Sequence, residues 1–204
     1  MKNKADFIKG LSDYVANIYE GTKKTLKPNI HRGHLRSIST DIEDGIALFI
    51  SNFLPEGFNV YLDPSIYFDG KTYRPDLIVA DSHGNACAMI EIKANMGWCR
   101  DAKPVVDELL KKSLLFRKER KIRCKLSNEN ELVATVNYEN EAPLFILSFT
   151  DGNCGKEEHK KNKDYANQNG VKLLFLFSGW YNSLENKDVI DFADELEAMV
   201  KSSK

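Results

Sequence analysis

The stretch of sequence that decides the fold reads Tyr73-Arg-Pro-Asp-Leu-Ile-Val-Ala-Asp, then Ser82-His-Gly-Asn, then Ala86-Cys-Ala-Met-Ile-Glu-Ile-Lys-Ala. The two apolar runs predict two strands. The segment from Ser82 to Asn85 predicts the turn between them, because Gly and Asn tolerate a positive φ. A hairpin at residues 73–94 is therefore the element around which the rest of the chain is placed.

Three charged side chains interrupt this apolar hairpin. Asp76 opens the first strand, and Glu91 and Lys93 lie near the end of the second. Side chains two apart on a strand share a face. The alternation predicts one face with Cys87, Met89, Glu91 and Lys93, and another with Ala86, Ala88, Ile90 and Ile92. Carboxylates here are costly to desolvate unless they are paired, and a divalent cation such as Mg²⁺ would pair them.

The pattern Pro75-Asp76, fourteen residues, then Glu91-Ile92-Lys93 resembles the signature of the PD-(D/E)XK nucleases, the restriction-endonuclease-like superfamily. The resemblance covers residues 35–120 and includes a preceding helix that carries Glu43. It implies that Asp76, Glu91 and the Ile92 carbonyl bind the metal, which Glu43 joins directly or through water. The implied cofactor is Mg²⁺, with Mn²⁺ as a possible substitute.

The resemblance also implies that Lys93 orients or deprotonates the attacking water. Nearby carboxylates favour the charged form of a lysine, so orientation and charge stabilisation are the favoured role. The alternative is that Glu91 and Lys93 form a structural ion pair at a sheet edge. Lys103, Lys111 and Lys112 on the following predicted helix are further candidates to face the site.

Length and composition predict a single domain over residues 1–204, with residues 1–33 as an N-terminal helix and basic connector. The hydrophobic content of 42% and the charged content of 29% are ordinary for a globular protein. No apolar run reaches the ~20 residues that span a bilayer. The N-terminus lacks the apolar core of a signal peptide, so no membrane partner and a cytoplasmic location are expected. The absence of a Cys-x-x-Cys pair disfavours a zinc site.

Hydrophobic periodicity predicts an alternation of helices and strands along the chain. The predicted helices cover residues 4–21, 34–54, 104–125, 156–168 and 184–201, and the further predicted strands cover 58–62, 144–150 and 171–177. Glu43 borders the apolar stripe of its helix. Antiparallel strands followed by crossover strands predict an α/β fold, a three-layer α/β/α sandwich with a mixed central sheet. The restriction endonuclease core has this layout.

Two basic segments, Lys23–Arg36 and Arg117–Lys125, are candidates to contact a DNA backbone. The alternatives are a solvated loop for the first and a helix C-terminus that complements the macrodipole for the second. The net charge of −1 gives no global basic character, although a local patch is enough.

The function that the resemblance implies is a Mg²⁺-dependent endonuclease that hydrolyses DNA, most like a type II restriction enzyme or a related defence or repair nuclease. A homodimer is the expected state, because two antiparallel DNA strands suit two sites related by a two-fold axis. The first alternative is a catalytically inactive member of the same fold that binds nucleic acid or serves as an assembly subunit. The second is an unrelated α/β protein.

Overall fold

A computed structural model describes residues 3–23, 39–94, 101–126, 133–138, 142–150, 154–178, 183–184 and 186–202. The helices are α1 Lys4–Lys23, α2 Ser39–Phe53, α3 Lys103–Glu119, α4 Lys156–Gln168 and α5 Asn186–Ser202. The strands are β1 Asn59–Leu62, β2 Ser65–Phe68, β3 Lys71–Tyr73, β4 Leu77–Ala80, β5 Ala86–Lys93, β6 Lys121–Lys125, β7 Val133–Asn137, β8 Leu144–Thr150, β9 Val171–Ser178 and β10 Ser183–Leu184.

The central sheet is six-stranded and mixed, with the strand order β1-β4-β5-β8-β9-β10. The β4–β5 hairpin is antiparallel, whereas β5 pairs in parallel with β8, and β8 with β9. The two apolar runs at residues 144–150 and 171–177 thus lie side by side near the middle of the sheet, where both faces of a strand are covered. The α/β class and the mixed sheet are confirmed.

Helices cover both faces of the central sheet. On one face, α1, α2 and α5 bury their apolar sides against sheet residues that include Ile90, Phe145 and Leu176. On the other face, α3 and α4 pack against residues that include Met89, Ile146 and Phe175. The alternation of side chains along β5, β8 and β9 separates these two cores.

The predicted face of Cys87 and Ala86 is wrong, because β5 contains a bulge. Val79 lies opposite Ala88, but Ala80 lies opposite Ala86, so Cys87 is an extra residue on its strand. Cys87 and Ala88 therefore share one core, and Ala86 belongs to the other. From Ala88 onward the predicted alternation holds, which places Glu91 on the same side as Met89.

A second sheet, with the order β3-β2-β6-β7, corrects two predictions. The helix predicted to continue to Lys125 ends at Glu119, and Arg120 adopts a φ of 61°. Residues 121–125 then alternate between exposed and buried, with Ile122 and Cys124 inward, so pairing with β2 and β7 makes this segment a strand. Tyr73, the first residue of the predicted hairpin at 73–94, instead ends β3, which pairs with β2 around the Asp69-Gly70 turn.

The two terminal helices lie within one core. The apolar sides of α1 and α5, including Phe7 and Phe192, pack together with α2 on the central sheet. Most of the basic segment Lys23–Arg36, like residues 34–38 of the second predicted helix, lies outside the described residues. None of the described helices has the length and apolar character needed to cross a membrane.

A close approach of α1 to α2 sets the position of the helix that carries Glu43. A Cβ at Gly45 would overlap the ring of Tyr14, whose hydroxyl donates a hydrogen bond to the Asp41 carbonyl over 2.7 Å. Only a glycine at position 45 allows this ring to lie against the α2 backbone.

We expect Gly45→Ala to lower the free energy of unfolding by about 1–3 kcal/mol, the usual cost of overpacking. At a helix position without this contact, the same change would instead raise the free energy of unfolding by ~0.5–1 kcal/mol. Chemical denaturation checks the sign. In a Tyr14→Ala background the ring is absent and the loss should shrink, so an equally large loss there would refute the contact as its cause.

Candidate functional site

The β4–β5 hairpin brings Asp76 to the C-terminal end of β5. Asp76 directly precedes β4, and the register places Leu77 opposite Ile90. The Ile92 backbone N–H donates a 2.6 Å hydrogen bond to Asp76 Oδ2, and the Asp63 N–H donates a 2.8 Å bond to the Asp76 carbonyl. Both the side chain and the backbone of Asp76 are therefore fixed by neighbouring strands.

Lys93 joins the two predicted carboxylates. Its Nζ lies 2.7 Å from Glu91 Oε1 and 3.7 Å from Asp76 Oδ2. Glu91 is buried, with 9% of its surface exposed, because it faces the layer covered by α3. Three of the four predicted catalytic side chains thus meet at the end of one hairpin.

Lys112 is the fourth member of this group. Its Nζ lies 3.3 Å from Glu91 Oε2 and 3.4 Å from the Arg74 carbonyl. We call Asp76, Glu91, Lys93 and Lys112 the carboxylate–lysine cluster. The sequence left three lysines of this helix open; Lys111 is exposed, and Lys103 lies over the Tyr165 ring.

A sequence signal for Lys112 does exist. It lies three residues after Leu109 and four before Phe116, both of which are buried. That spacing puts a lysine on the apolar stripe of α3, where a charge needs a partner. The stripe identifies Lys112 as inward-facing, but only the packing of α3 on β5 identifies Glu91 as its partner.

Glu43 lies in the electrostatic field of the cluster. Partial burial raises the pKa of the Glu43 carboxyl, and the Asp76 and Asp63 carboxylates raise it further, whereas Lys93 opposes them. Among the described residues, no group of three or more His, Cys, Asp or Glu side chains is arranged to hold a metal ion. The shared metal site of Glu43, Asp76, Glu91 and Ile92 stays a prediction.

The cluster shifts the protonation of its own members. Burial raises the pKa of Asp76, and repulsion from Glu91 adds to it, although the Ile92 N–H, Lys93 and Lys112 act in the opposite direction. Burial would lower the pKa of Lys93, but Glu91, Asp76 and Glu43 outweigh it and leave the pKa above its ordinary value. Lys93 is therefore a cation at neutral pH and is poorly suited to abstract a proton.

The donor set fits a hard cation in its chemistry. Asp76 and Glu43 carry negative charge that their surroundings disfavour, and a divalent ion would relieve that cost. Both carboxylate oxygens of Glu91 lie near lysines, Oε1 near Lys93 and Oε2 near Lys112. A metal at Glu91 would therefore compete with one of these two ammonium groups.

Compared with protein-family models, curated proteins and solved structures, this chain matches none of them. The interpretation of the cluster therefore rests on the residues of β4, β5, α2 and α3 themselves.

Proposed function

We propose that this chain is a Mg²⁺-dependent endonuclease that hydrolyses DNA phosphodiester bonds. The observation that carries the proposal is the position of Lys93 Nζ, 2.7 Å from Glu91 Oε1 and 3.7 Å from Asp76 Oδ2. It joins acids from two adjacent strands that the resemblance to PD-(D/E)XK nucleases pairs in one site. The arrangement of helices on both faces of a mixed sheet supports a restriction-endonuclease-like three-layer sandwich.

The residues of the cluster have separate roles in this proposal. Asp76 and Glu91, with Glu43 and the Ile92 carbonyl, would hold the ion. When bound, Mg²⁺ would lower the pKa of the water that it carries and neutralise phosphate charge. Lys93 remains charged and orients the attacking water and the phosphate oxygens. Lys112 pairs with Glu91 Oε2 from α3 and would compete with the ion for that oxygen.

The direct test is incubation of the purified chain with plasmid DNA in Mg²⁺, Mn²⁺ or EDTA. We expect nicked or linear DNA with either metal and intact supercoils in EDTA. Uncut DNA under all three conditions, from a folded protein that still binds DNA, would favour the inactive alternative.

Proton release on metal binding is a second expected result. The pKa values of Asp76 and Glu43 lie above their ordinary values. In the pH window just above those ordinary values, each carboxyl is still partly protonated, and a metal must displace the proton to bind. Apparent Mg²⁺ affinity should fall as pH falls through this window. Calorimetry in buffers of different ionisation enthalpy measures the released protons, and a buffer-independent heat just above the ordinary pKa of a carboxyl group would contradict the raised pKa values.

The same shifts fix the sign of the pH dependence in EDTA. An acid with a raised folded-state pKa binds more protons in the folded state, so its contribution to stability falls as pH rises through the window. Asp76→Asn removes the titration but keeps an acceptor for the Ile92 N–H. The stability of this variant relative to wild type should therefore increase as pH rises from 4 to 7, as measured by thermal denaturation.

A catalytically inactive nuclease fold that binds nucleic acid is the second candidate function. The observation that favours it is the pairing of both Glu91 oxygens with lysines, which balances the charge of Glu91 without a metal. Plasmid cleavage separates the two candidates.

In either case a homodimer is the proposed state. The apolar sides of α1 and α5 are buried in the core, so the contacts between subunits would involve other surfaces. Light scattering with and without DNA measures the oligomeric state.

A further inference from the structure

The outer face of the second sheet has an unusual composition. Its inner face is apolar and buried, with Ile66, Ile122, Cys124 and Val136 in the core. The opposite side chains point to solvent. We define the outer face by its exposed residues, Tyr67, Thr72, Lys121, Arg123, Lys125 and Thr135. Among the described residues of this face there is no carboxylate.

Positive charge is arranged here in a row. Lys121, Arg123 and Lys125 alternate with buried residues on β6, so they project from one side at a repeat of roughly 6.7 Å. This repeat is close to the spacing of successive phosphates along an extended nucleic-acid strand. A row of cations at that spacing is complementary to a polyanion rather than to an isolated acidic side chain.

An aromatic ring lies next to this row. Tyr67 is 74% exposed, which is unusual for a large side chain on a sheet. Ser65 pairs with Lys125 and Ile66 with Cys124 in an antiparallel register. Continuing that register by one residue brings Tyr67 opposite Arg123. An exposed ring beside cations is the combination on which unpaired bases stack while their phosphates are neutralised.

The row also leads toward the carboxylate–lysine cluster. Lys125 lies opposite Ser65, which is two residues from Asp63. The Asp63 N–H is hydrogen-bonded to the Asp76 carbonyl, and β3 ends three residues before Asp76. A single nucleic-acid strand that follows the outer face from Lys121 to Lys125 is therefore directed toward the end of the β4–β5 hairpin where the cluster lies.

We propose that the outer face binds a single-stranded segment of nucleic acid, with its phosphates on Lys121, Arg123 and Lys125 and a base stacked on Tyr67. This assignment goes beyond the proposed function, because it concerns an unpaired segment rather than the duplex, and it does not require cleavage. An acidic polypeptide would match the charge but would make no use of the exposed ring as a stacking surface.

The test is binding of a fluorescent oligothymidylate to the full chain in EDTA, where no metal-dependent cleavage occurs. In the variant Lys121→Gln/Arg123→Gln/Lys125→Gln, three phosphate contacts are lost. The slope of log affinity against log salt is negative, and its magnitude should decrease by about 2. Tyr67→Ala should weaken binding by about 5- to 150-fold. The matched control Lys156→Gln/Lys160→Gln/Lys161→Gln removes three exposed charges from α4 and should leave binding close to wild type.

Several results would overturn this proposal. They are an equal loss in the α4 control, an unchanged affinity in Tyr67→Ala, tighter binding of duplex than of single strand, or displacement by polyglutamate as effective as by unlabelled oligonucleotide. Circular dichroism establishes that each variant is folded. Binding in EDTA without plasmid cleavage in Mg²⁺ would support the outer face and reject the nuclease, whereas cleavage that is unaffected by the outer-face variants would do the reverse.

Discussion

Asp76→Ala should abolish Mg²⁺-dependent DNA cleavage, with a loss of at least ~10³-fold in rate at low metal concentration. Asp76 is the carboxylate that the Ile92 N–H and Lys93 hold at the end of the hairpin. Its removal takes away a proposed metal ligand, so part of the activity should return at high Mg²⁺ concentration.

Lys93→Ala should lose cleavage in a different way. Lys93 is proposed to stabilise charge that develops in the transition state, so the loss of about 10²–10³-fold should appear in kcat and should not be recovered by added metal. Plasmid nicking over a range of Mg²⁺ concentrations separates the two variants.

Two exposed residues provide matched controls for these variants. Asp44→Asn removes a carboxylate next to Glu43, and Lys201→Ala removes an ammonium from the end of α5. Both should cut at wild-type rates, and thermal denaturation shows whether each protein is folded. If Asp76→Ala and Lys93→Ala also cut at the wild-type rate, the assigned site is wrong.

Lys112→Met should produce two effects of opposite sign. In EDTA, the loss of a buried partner for Glu91 should lower the free energy of unfolding by about 2 kcal/mol, since Lys93 still pairs with one oxygen. For a chain of this size that corresponds to a fall in Tm of ~4–8 °C. With Mg²⁺, the affinity for metal should rise, because an ammonium no longer competes for Glu91 Oε2.

The neighbouring lysine offers a matched control for this variant. Lys111 is exposed on the same helix, so Lys111→Met changes net charge and helix propensity equally but removes no contact with Glu91. We expect its stability and metal affinity to stay within ~0.5 kcal/mol of wild type. A Lys112→Met protein with unchanged stability in EDTA would contradict the buried pairing, and one with weakened metal binding would show that Lys112 supports the ion rather than competing with it.

The sequence by itself determined the hairpin and the main elements of the central sheet. Strong local signals, a turn at 82–85 and apolar runs at 144–150 and 171–177, predict the antiparallel β4–β5 hairpin and the strands β8 and β9, all of which lie in the central sheet. The side-chain period of two along β5 also placed Glu91 and Lys93 on one side. These features depend on neighbouring residues in the chain, which is why a pattern predicts them.

The tertiary structure alone decided which distant groups meet. Residues 121–125 form a strand because β2 and β7 pair with them, although the charged sequence also reads as a helix end. The bulge at Cys87 arises from the register between two strands. Lys112 pairs with Glu91 because α3 packs on β5, across a separation of 21 positions in sequence. Long-range pairing and packing outweigh local propensity of less than about 1 kcal/mol per residue, so these contacts have no local signal that could specify them.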